Sequence, residues 1–89
     1  MLDVHITNAF KKDAKKAKKQ GKNLQILESV VGLLKAQKPL AQKYRDHSLT
    51  GNYKNCRECH LLPNWLLIYE IIGKQLILHR LGSHSELFR

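Results

Sequence analysis

Two spacings of apolar residues divide this chain of 89 residues at Pro39. Before the proline, apolar side chains recur every three or four positions over residues 9–20 and 24–34, which is typical of helices that bury one face. Gly21 separates the two predicted helices, and Pro39 ends the second. After the proline, short apolar runs alternate with turn-forming residues, which predicts strands over residues 57–61, 65–72 and 75–81 and a weaker one over 49–53.

The order of these elements predicts an α+β fold. Leu2, Val4 and Ile6 alternate with polar residues and indicate a half-buried strand ahead of the helices. The later strands are joined by turns too short for a crossover helix, so we expect a small antiparallel sheet with the two N-terminal helices packed on it. The expected order is βααβββ, with room for one more strand. Residues 1–89 are enough for one hydrophobic core and therefore for a single domain.

The charge of the chain favours a polyanionic partner. Sixteen lysine and arginine residues against seven aspartate and glutamate residues give a formal net charge of +9. The lysines between Lys11 and Lys22 form either a solvated helix face or a surface that attracts RNA, DNA or an acidic protein. No apolar run reaches the roughly 20 residues that cross a bilayer, and no secretory signal is visible. With only two cysteines, the expectation is a cytoplasmic protein without a disulfide framework.

Three histidines in the second half of the chain, His47, His60 and His84, are the candidates for acid–base chemistry. An unperturbed imidazole titrates at about 6.5, so one histidine can accept a proton while another donates one. A nearby guanidinium would hold a phosphate between them, because its rigid fork matches phosphate oxygens. This combination favours chemistry on a nucleic-acid backbone.

Strand alternation predicts which of these side chains meet. Glu58 and His60 share one face of their strand, and Arg80 shares a face with Leu78 on a later strand, so we expect Glu58, His60 and Arg80 to converge. His79 would then point away from Arg80, and we leave it out of the site. The loop that contains His47 and the tail that contains His84 complete the set, because functional side chains often lie on loops.

The segment from Cys56 to His60 also matches C-x-x-C-H, the attachment motif of c-type haem, and a cysteine pair could equally bind zinc or act as a redox dithiol. We regard these as minor alternatives. Residues three apart on a strand point to opposite faces, and no second cysteine pair is present to complete a zinc site. We therefore expect no cofactor and no metal ion.

Three ordered blocks carry a family pattern: YRDHSLTG at residues 44–51, RECHLLPNWLLIY at 57–69 and RLGSHSELF at 80–88. They resemble the YafQ branch of the RelE toxin superfamily. The resemblance implies a RelE-like fold and a bacterial toxin of a type II toxin–antitoxin pair. Such a toxin is an endoribonuclease that cuts messenger RNA in association with the ribosome, and a cognate antitoxin neutralises it.

The same resemblance implies a set of site residues. The family's three histidines fall on His47, His60 and His84, and its further site positions fall on Trp65, Arg80 and Phe88. Asn64 stands where the family commonly has an aspartate, so a mechanism that relies on that carboxylate must shift to a histidine or to Glu58. The predicted catalytic residues are His47, Glu58, His60, Arg80, His84 and Phe88. The predicted RNA-binding or site-packing residues are Arg45, Lys54, Asn64 and Trp65.

The mechanism we expect is metal-free transesterification, in which the 2′-hydroxyl of RNA attacks the adjacent phosphate and expels the 5′-oxygen. His60 or Glu58 would remove the hydroxyl proton and His84 would protonate the leaving oxygen, or the two roles would be exchanged. Arg80 would stabilise the charged phosphorane, and His47 would hold the phosphate or act as a second acid.

Two alternatives remain open from the sequence. The chain could be a basic module that binds RNA or DNA without cleaving it, or an inactive relative that still binds an acidic antitoxin. An acidic segment folding across such a basic face would block it by attraction and by steric occlusion. Trp65 and Phe88 could either pack the site or stack on an unpaired base.

Overall fold

The computed structural model describes residues 1–88, which contain five strands and three α-helices. The strands are β1 (Asp3–Ile6), β2 (His47–Ser48), β3 (Arg57–Leu62), β4 (Trp65–Ile72) and β5 (Gln75–Gly82). The helices are α1 (Asn8–Lys19), α2 (Leu24–Lys35) and α3 (His84–Leu87). Single 3₁₀ turns lie at Gln42–Tyr44 and Gly51–Tyr53. None of the helices within residues 1–88 is long and apolar enough to span a bilayer.

The strands form one sheet in the order β1-β5-β4-β3-β2. Neighbours from β2 to β5 are antiparallel, as the short turns predict, but β1 pairs with β5 in parallel. The predicted antiparallel pairing of the later strands is confirmed, and the sheet as a whole is mixed because of the one parallel pair. A parallel pair needs a long connection between its strands, and the two helices and the antiparallel strands supply it here.

Both long helices begin and end where the sequence predicts. The Thr7 side chain accepts a hydrogen bond from the Phe10 N–H (3.0 Å), and the Asn23 side chain accepts one from the Gln25 N–H (3.0 Å). These bonds satisfy backbone donors that have no partner in the first turn of a helix. Gly21, with a φ of 76°, turns the chain between the helices, since this left-handed conformation is easiest for glycine.

The helices cover one face of the sheet, which we call the helix face. Phe10 and Ala17 of α1 and Val30 and Leu34 of α2 pack there against the buried strand residues. The strand residues of this core are Cys59, Leu61, Trp65, Leu67, Tyr69, Leu76, Leu78 and Leu81. The opposite side, which we call the open face, has a smaller cluster of Cys56, Leu66, Ile68 and Leu87, and α3 contributes the last of these.

The first strand is less buried than its alternation predicts. Leu2 is buried, but Val4 is 37% exposed and Ile6 is 51% exposed. Their partners across the sheet are Leu76 and Leu78, so both point to the helix face. They stay exposed because β1 is the edge strand of the sheet. The expectation of a half-buried strand is therefore wrong for these two residues.

A β-bulge in β5 changes which side chains share a face. Ile68 lies opposite Arg80, and the next residue, Tyr69, lies opposite Leu78. His79 is therefore an extra residue with no residue opposite it in β4. Leu78 belongs to the helix-face core, whereas Ile68, opposite Arg80, belongs to the open-face cluster. Two sequence expectations are therefore wrong: Arg80 does not share a face with Leu78, and His79 does not point away from Arg80.

Two further segments differ from the sequence expectation. Residues 49–53 do not form a strand; instead His47 and Ser48 pair with β3 as a two-residue strand, and Gly51–Tyr53 is a 3₁₀ turn. The C-terminal tail forms α3, in which the Ser83 side chain accepts from the Glu86 N–H and the Glu86 carboxylate accepts from the Ser83 N–H. This capping box, S-x-x-E, is visible in the sequence and could have predicted the helix.

Candidate active site

The register of the sheet aligns three of the predicted site residues on the open face. His47 of β2 lies opposite Glu58 of β3, Glu58 lies opposite Ile68 of β4, and Ile68 lies opposite Arg80 of β5. Residues opposite each other in a sheet project to the same side. His60 follows Glu58 by two residues and therefore projects to that side as well.

Glu58 lies between two of the histidines. Among the charged residues that the structure describes, Glu58 alone is buried, with 3% exposure. Its Oε1 lies 3.1 Å from His60 Nε2 and 3.5 Å from His47 Nε2. On the far side of the His47 ring, Nδ1 donates to the Arg45 carbonyl oxygen at 2.7 Å, because a carbonyl oxygen can only accept. Both imidazoles are thus held by groups that fix their orientation.

Helix α3 brings the third histidine against the other two. The His84 ring centroid lies 5.6 Å from that of His60 and 5.9 Å from that of Phe88, and the His47 and His60 centroids are 6.2 Å apart. Tyr53 supports Phe88 from the other side, with an edge-on ring contact at 5.5 Å. The rings therefore form a continuous row that combines three separate segments of the chain.

Asn64 fixes the position of His84. Its Oδ1 accepts a hydrogen bond from the His84 backbone N–H at 3.1 Å. This N–H belongs to the first turn of α3, where no carbonyl within the helix can accept it. An aspartate oxygen could accept the same bond, so the asparagine at this position retains that structural contact although it cannot act as a base.

Arg80 is held by a residue that the sequence reasoning missed. Its Nε and one terminal nitrogen donate to the two Asp13 carboxylate oxygens at 2.7 and 3.3 Å, and the Leu81 N–H donates to Asp13 Oδ2 at 3.0 Å. The hydrogen bonds to Asp13 are the main reason why the pKa of Arg80 is raised. Asp13 is the one acidic residue in the lysine-rich helix, and this isolated charge is the sequence signal that could have identified it.

The remaining predicted residues differ in exposure. Trp65 is only 2% exposed and belongs to the helix-face core, so it packs beneath the site and offers no free face for base stacking. Phe88 is 41% exposed. Arg45 and Lys54 are exposed, Arg45 at a left-handed turn beside His47 and Lys54 directly after the Gly51–Tyr53 turn.

Two clefts flank the row of rings. The larger, of about 570 Å³, includes Lys16, Lys22, Asn64, Ser83 and Glu86 in its lining, and Lys16 forms an ion pair with Glu86 across it. The smaller, of about 430 Å³, is lined by Ile26, Lys43, Tyr44, Arg45, His60, Leu61, Leu62 and Pro63. Leu62 borders both clefts. The basic side chains at both ends suit the phosphates of a single strand that crosses the histidines.

The same residues also suit a metal ion. Ligand atoms of His47, Glu58 and His60 all lie within 4.8 Å of one another. Imidazole nitrogen and carboxylate oxygen are ordinary ligands of zinc and copper. The C-x-x-C motif, by contrast, does not form a site, because Cys56 is buried on the open face and Cys59 on the helix face.

Comparison with known proteins agrees with this geometry. The sequence model of the family described as "Bacterial toxin of type II toxin-antitoxin system, YafQ" matches residues 2–89. The mRNA interferase toxin YafQ of Escherichia coli K12 is 37% identical over 87 residues, which cover 97% of this chain and 95% of that protein.

Two solved structures show the same fold. A metal-bound toxin from Helicobacter pylori is 50% identical with a TM-score of 0.94, and the match covers 99% of this chain and all of that one. The YafQ chain of the E. coli DinJ–YafQ complex is 36% identical with a TM-score of 0.92, and the match covers 100% of both chains. Both likenesses extend over the entire sheet and its helices.

Proposed function

Because the chain belongs to the YafQ family of bacterial toxins of type II toxin–antitoxin systems, we propose that it is an mRNA interferase, an endoribonuclease that cuts messenger RNA. The observation that carries the proposal is that His47 and His60 flank the buried Glu58 carboxylate while the His84 ring lies against that of His60. Such a group can remove one proton and donate another during the attack of the 2′-hydroxyl on the adjacent phosphate.

We assign the first proton transfer to His60. Only 11% of its side chain is exposed, but the ring lines the smaller cleft, where RNA can bring its 2′-hydroxyl to it. Glu58 has almost no access to a substrate, so its role in this proposal is to orient His60 through the contact at 3.1 Å. A carboxylate that fixes an imidazole and stabilises its protonated form acts in the same way in other acid–base sites.

We assign protonation of the leaving 5′-oxygen to His84. Its ring is exposed and lies 5.6 Å from that of His60, so both imidazoles can approach opposite sides of one phosphodiester. His47 also contacts Glu58 and is exposed, which suits a second contact with the phosphate. Phe88 lies against His84 and has enough exposed ring to stack on an unpaired base.

Arg80 is the proposed stabiliser of the phosphorane. Two of its five N–H donors bind Asp13, which immobilises the guanidinium and leaves others for phosphate oxygens. The Arg80 backbone is two strands from that of Glu58, about 10 Å at the usual strand spacing of nearly 5 Å. A phosphate bound between β3 and β5 can therefore lie within reach of both the histidines and the free donors of the Arg80 guanidinium.

A metal ion would compete with this chemistry. The H. pylori relative is a metal-bound toxin, and His47, Glu58 and His60 are the residues that would hold an ion here. An ion at that position would polarise a phosphate oxygen, but it would occupy the imidazole nitrogens that proton transfer requires. In the proposed reaction the histidines therefore act as acid and base without a bound ion.

The partners follow from charge and family. The E. coli relative forms a complex with DinJ, and we propose that an acidic antitoxin likewise covers this basic chain and blocks its clefts. Lys16, Lys22, Lys43 and Arg45 border the clefts. Lys54 is exposed directly after Tyr53, whose ring contacts Phe88, and is a further candidate phosphate contact. We further propose that the toxin works in the cytoplasm, on mRNA that is being translated by the ribosome.

Cleavage of a defined RNA by the purified protein, alone and on translating ribosomes, tests the proposal. We expect products that end in a 2′,3′-cyclic phosphate. His60→Ala and His84→Ala should each lose about 10²- to 10⁴-fold in cleavage rate while RNA affinity changes little, because affinity depends on many charges and turnover on a few groups. His5→Ala is the matched control, since His5 is exposed on β1 at the other edge of the sheet.

Three results would contradict parts of this proposal. A 3′-hydroxyl product would exclude attack by the 2′-hydroxyl. Full activity in both site variants would exclude the assigned residues. Tight RNA binding by wild-type protein without cleavage, on or off the ribosome, would favour a binding module or an inactive relative.

A further inference from the structure

A second group of metal-ligand side chains lies on the open face, outside the row of histidines. It consists of Cys56, Glu70 and His79, whose ligand atoms all lie within 4.8 Å of one another. His79 Nε2 donates to Glu70 Oε1 at 2.9 Å. From this geometry we propose that Cys56, Glu70 and His79 bind a divalent transition-metal ion such as zinc, at a site distinct from the nuclease centre.

The positions of these residues along the sheet bring their side chains to one face. Glu70 follows Leu66 and Ile68 at two-residue intervals on β4, so it projects to the open face with them. His79 is the extra residue of the bulge and reaches Glu70 on that face. Cys56 directly precedes β3 and is buried in the open-face cluster. Strands β4 and β5 and the residue before β3 therefore each contribute one ligand.

The ligand set suits a borderline-soft ion. Thiolate sulfur, imidazole nitrogen and carboxylate oxygen all bind zinc, with bonds of about 2.0–2.3 Å, which places ligand atoms about 3.3–3.8 Å apart around a tetrahedral ion. The ligand atoms lie within 4.8 Å of one another, so side-chain rotation must adjust their separations when an ion binds. Three protein ligands leave a fourth position, which water can fill because the Glu70 and His79 side chains are partly exposed.

Metal binding would require the Cys56 thiol to release its proton to solvent. The divalent charge would then neutralise both the Cys56 thiolate and the Glu70 carboxylate. Binding would also tie the start of β3 to β4 and β5, on the same face of the sheet as Glu58 and Arg80.

Titration of the protein with Co²⁺, a spectroscopic substitute for zinc, tests the proposal. Only a cobalt ion bound to a thiolate gives a sulfur-to-metal charge-transfer band, and the His47, Glu58 and His60 group has no sulfur. We expect this band in the wild type and its loss in Cys56→Ser. His79→Ala should weaken Co²⁺ binding at least tenfold in the same assay.

Two control variants make the test specific. Cys59→Ala should keep the band, because Cys59 is buried on the helix face. The double variant His47→Ala, His60→Ala should also keep it, although it removes two ligands of the other group. Absence of the band in folded wild-type protein, or its persistence in Cys56→Ser, would overturn the proposal. A Co²⁺ spectrum with ligand-field bands only, which disappear in the double variant, would assign the ion to the nuclease centre instead. None of these spectroscopic results depends on RNA cleavage.

Discussion

Replacing Asp13 by alanine should destabilise the fold and release Arg80 at the same time. Asp13 accepts three hydrogen bonds, two from the Arg80 guanidinium and one from the Leu81 N–H. The Leu81 bond replaces a strand partner, because β1 pairs with β5 only from Gln75 to Leu78. Without Asp13, a part-buried backbone donor loses its acceptor.

The expected loss in the free energy of unfolding can be estimated from these contacts. Leaving the Leu81 N–H without an acceptor costs about 1–3 kcal/mol. The ion pair adds only about 1 kcal/mol, because 31% of the Arg80 side chain is exposed and solvent screens the charges. Because alanine is a better helix former than aspartate, the substitution offsets up to about 0.7 kcal/mol of this loss. We therefore expect Asp13→Ala to lower the free energy of unfolding by about 1–3 kcal/mol, or Tm by roughly 5–25 °C for a chain of this size.

Urea and thermal unfolding of two variants and one control measure this effect. Asp13→Asn keeps an oxygen that can accept from Leu81 and loses only the charge, so it should cost about 1 kcal/mol. Glu28→Ala, an exposed acid on α2, should change stability by less than about 0.5 kcal/mol. Asp13→Asn should remain folded yet cleave RNA more slowly, because Arg80 is no longer fixed. An Asp13→Ala protein as stable as Glu28→Ala would refute the reasoning.

Three further predictions concern the site and its surroundings. Asn64→Ala should slow cleavage about fivefold to tenfold, because the His84 N–H loses an acceptor worth about 1 kcal/mol, whereas Asn64→Asp should cleave like the wild type. Hydrogen bonds from Lys16 and from the Ser83 backbone lower the pKa of Glu86 to about 2. The ionised Glu86 carboxylate therefore stabilises the fold fully at pH values above its ordinary pKa of about 4.3, and this stabilisation is lost as the pH falls towards 2. Unfolding curves of wild type and Glu86→Gln should accordingly differ at neutral pH and coincide near pH 2, and a constant difference would contradict this assignment. Burial raises the pKa of the Cys59 thiol to about 12, so iodoacetamide at pH 8 should modify Cys59 only when the protein unfolds, and rapid labelling of native protein would show that the thiol is accessible.

The two long helices could be predicted from the sequence because their signals are local. The helix at Asn8–Lys19 and the helix at Leu24–Lys35 each have a side-chain cap and an apolar stripe formed by residues three or four apart. The long antiparallel strands β3 to β5 are likewise visible, since alternation and short turns require no knowledge of distant segments. The three histidines could be singled out as candidates by residue type and by family resemblance.

Local spacing could not predict how those candidates are held. His47 contacts Glu58 through β2, a strand of two residues that is too short to have a period of its own. The bulge at His79 depends on how β5 aligns with β4, and it turns both His79 and Arg80 towards the open face.

Contacts between distant segments of the chain could be identified only in the tertiary structure. Asp13 and Arg80 are 67 residues apart, and β1 joins β5 in parallel across nearly the full length of the sequence. Composition and periodicity describe which face of an element is apolar. Register, bulges and long-range ion pairs depend instead on hydrogen bonds between separate elements, which form only when the complete sheet and its helices pack together.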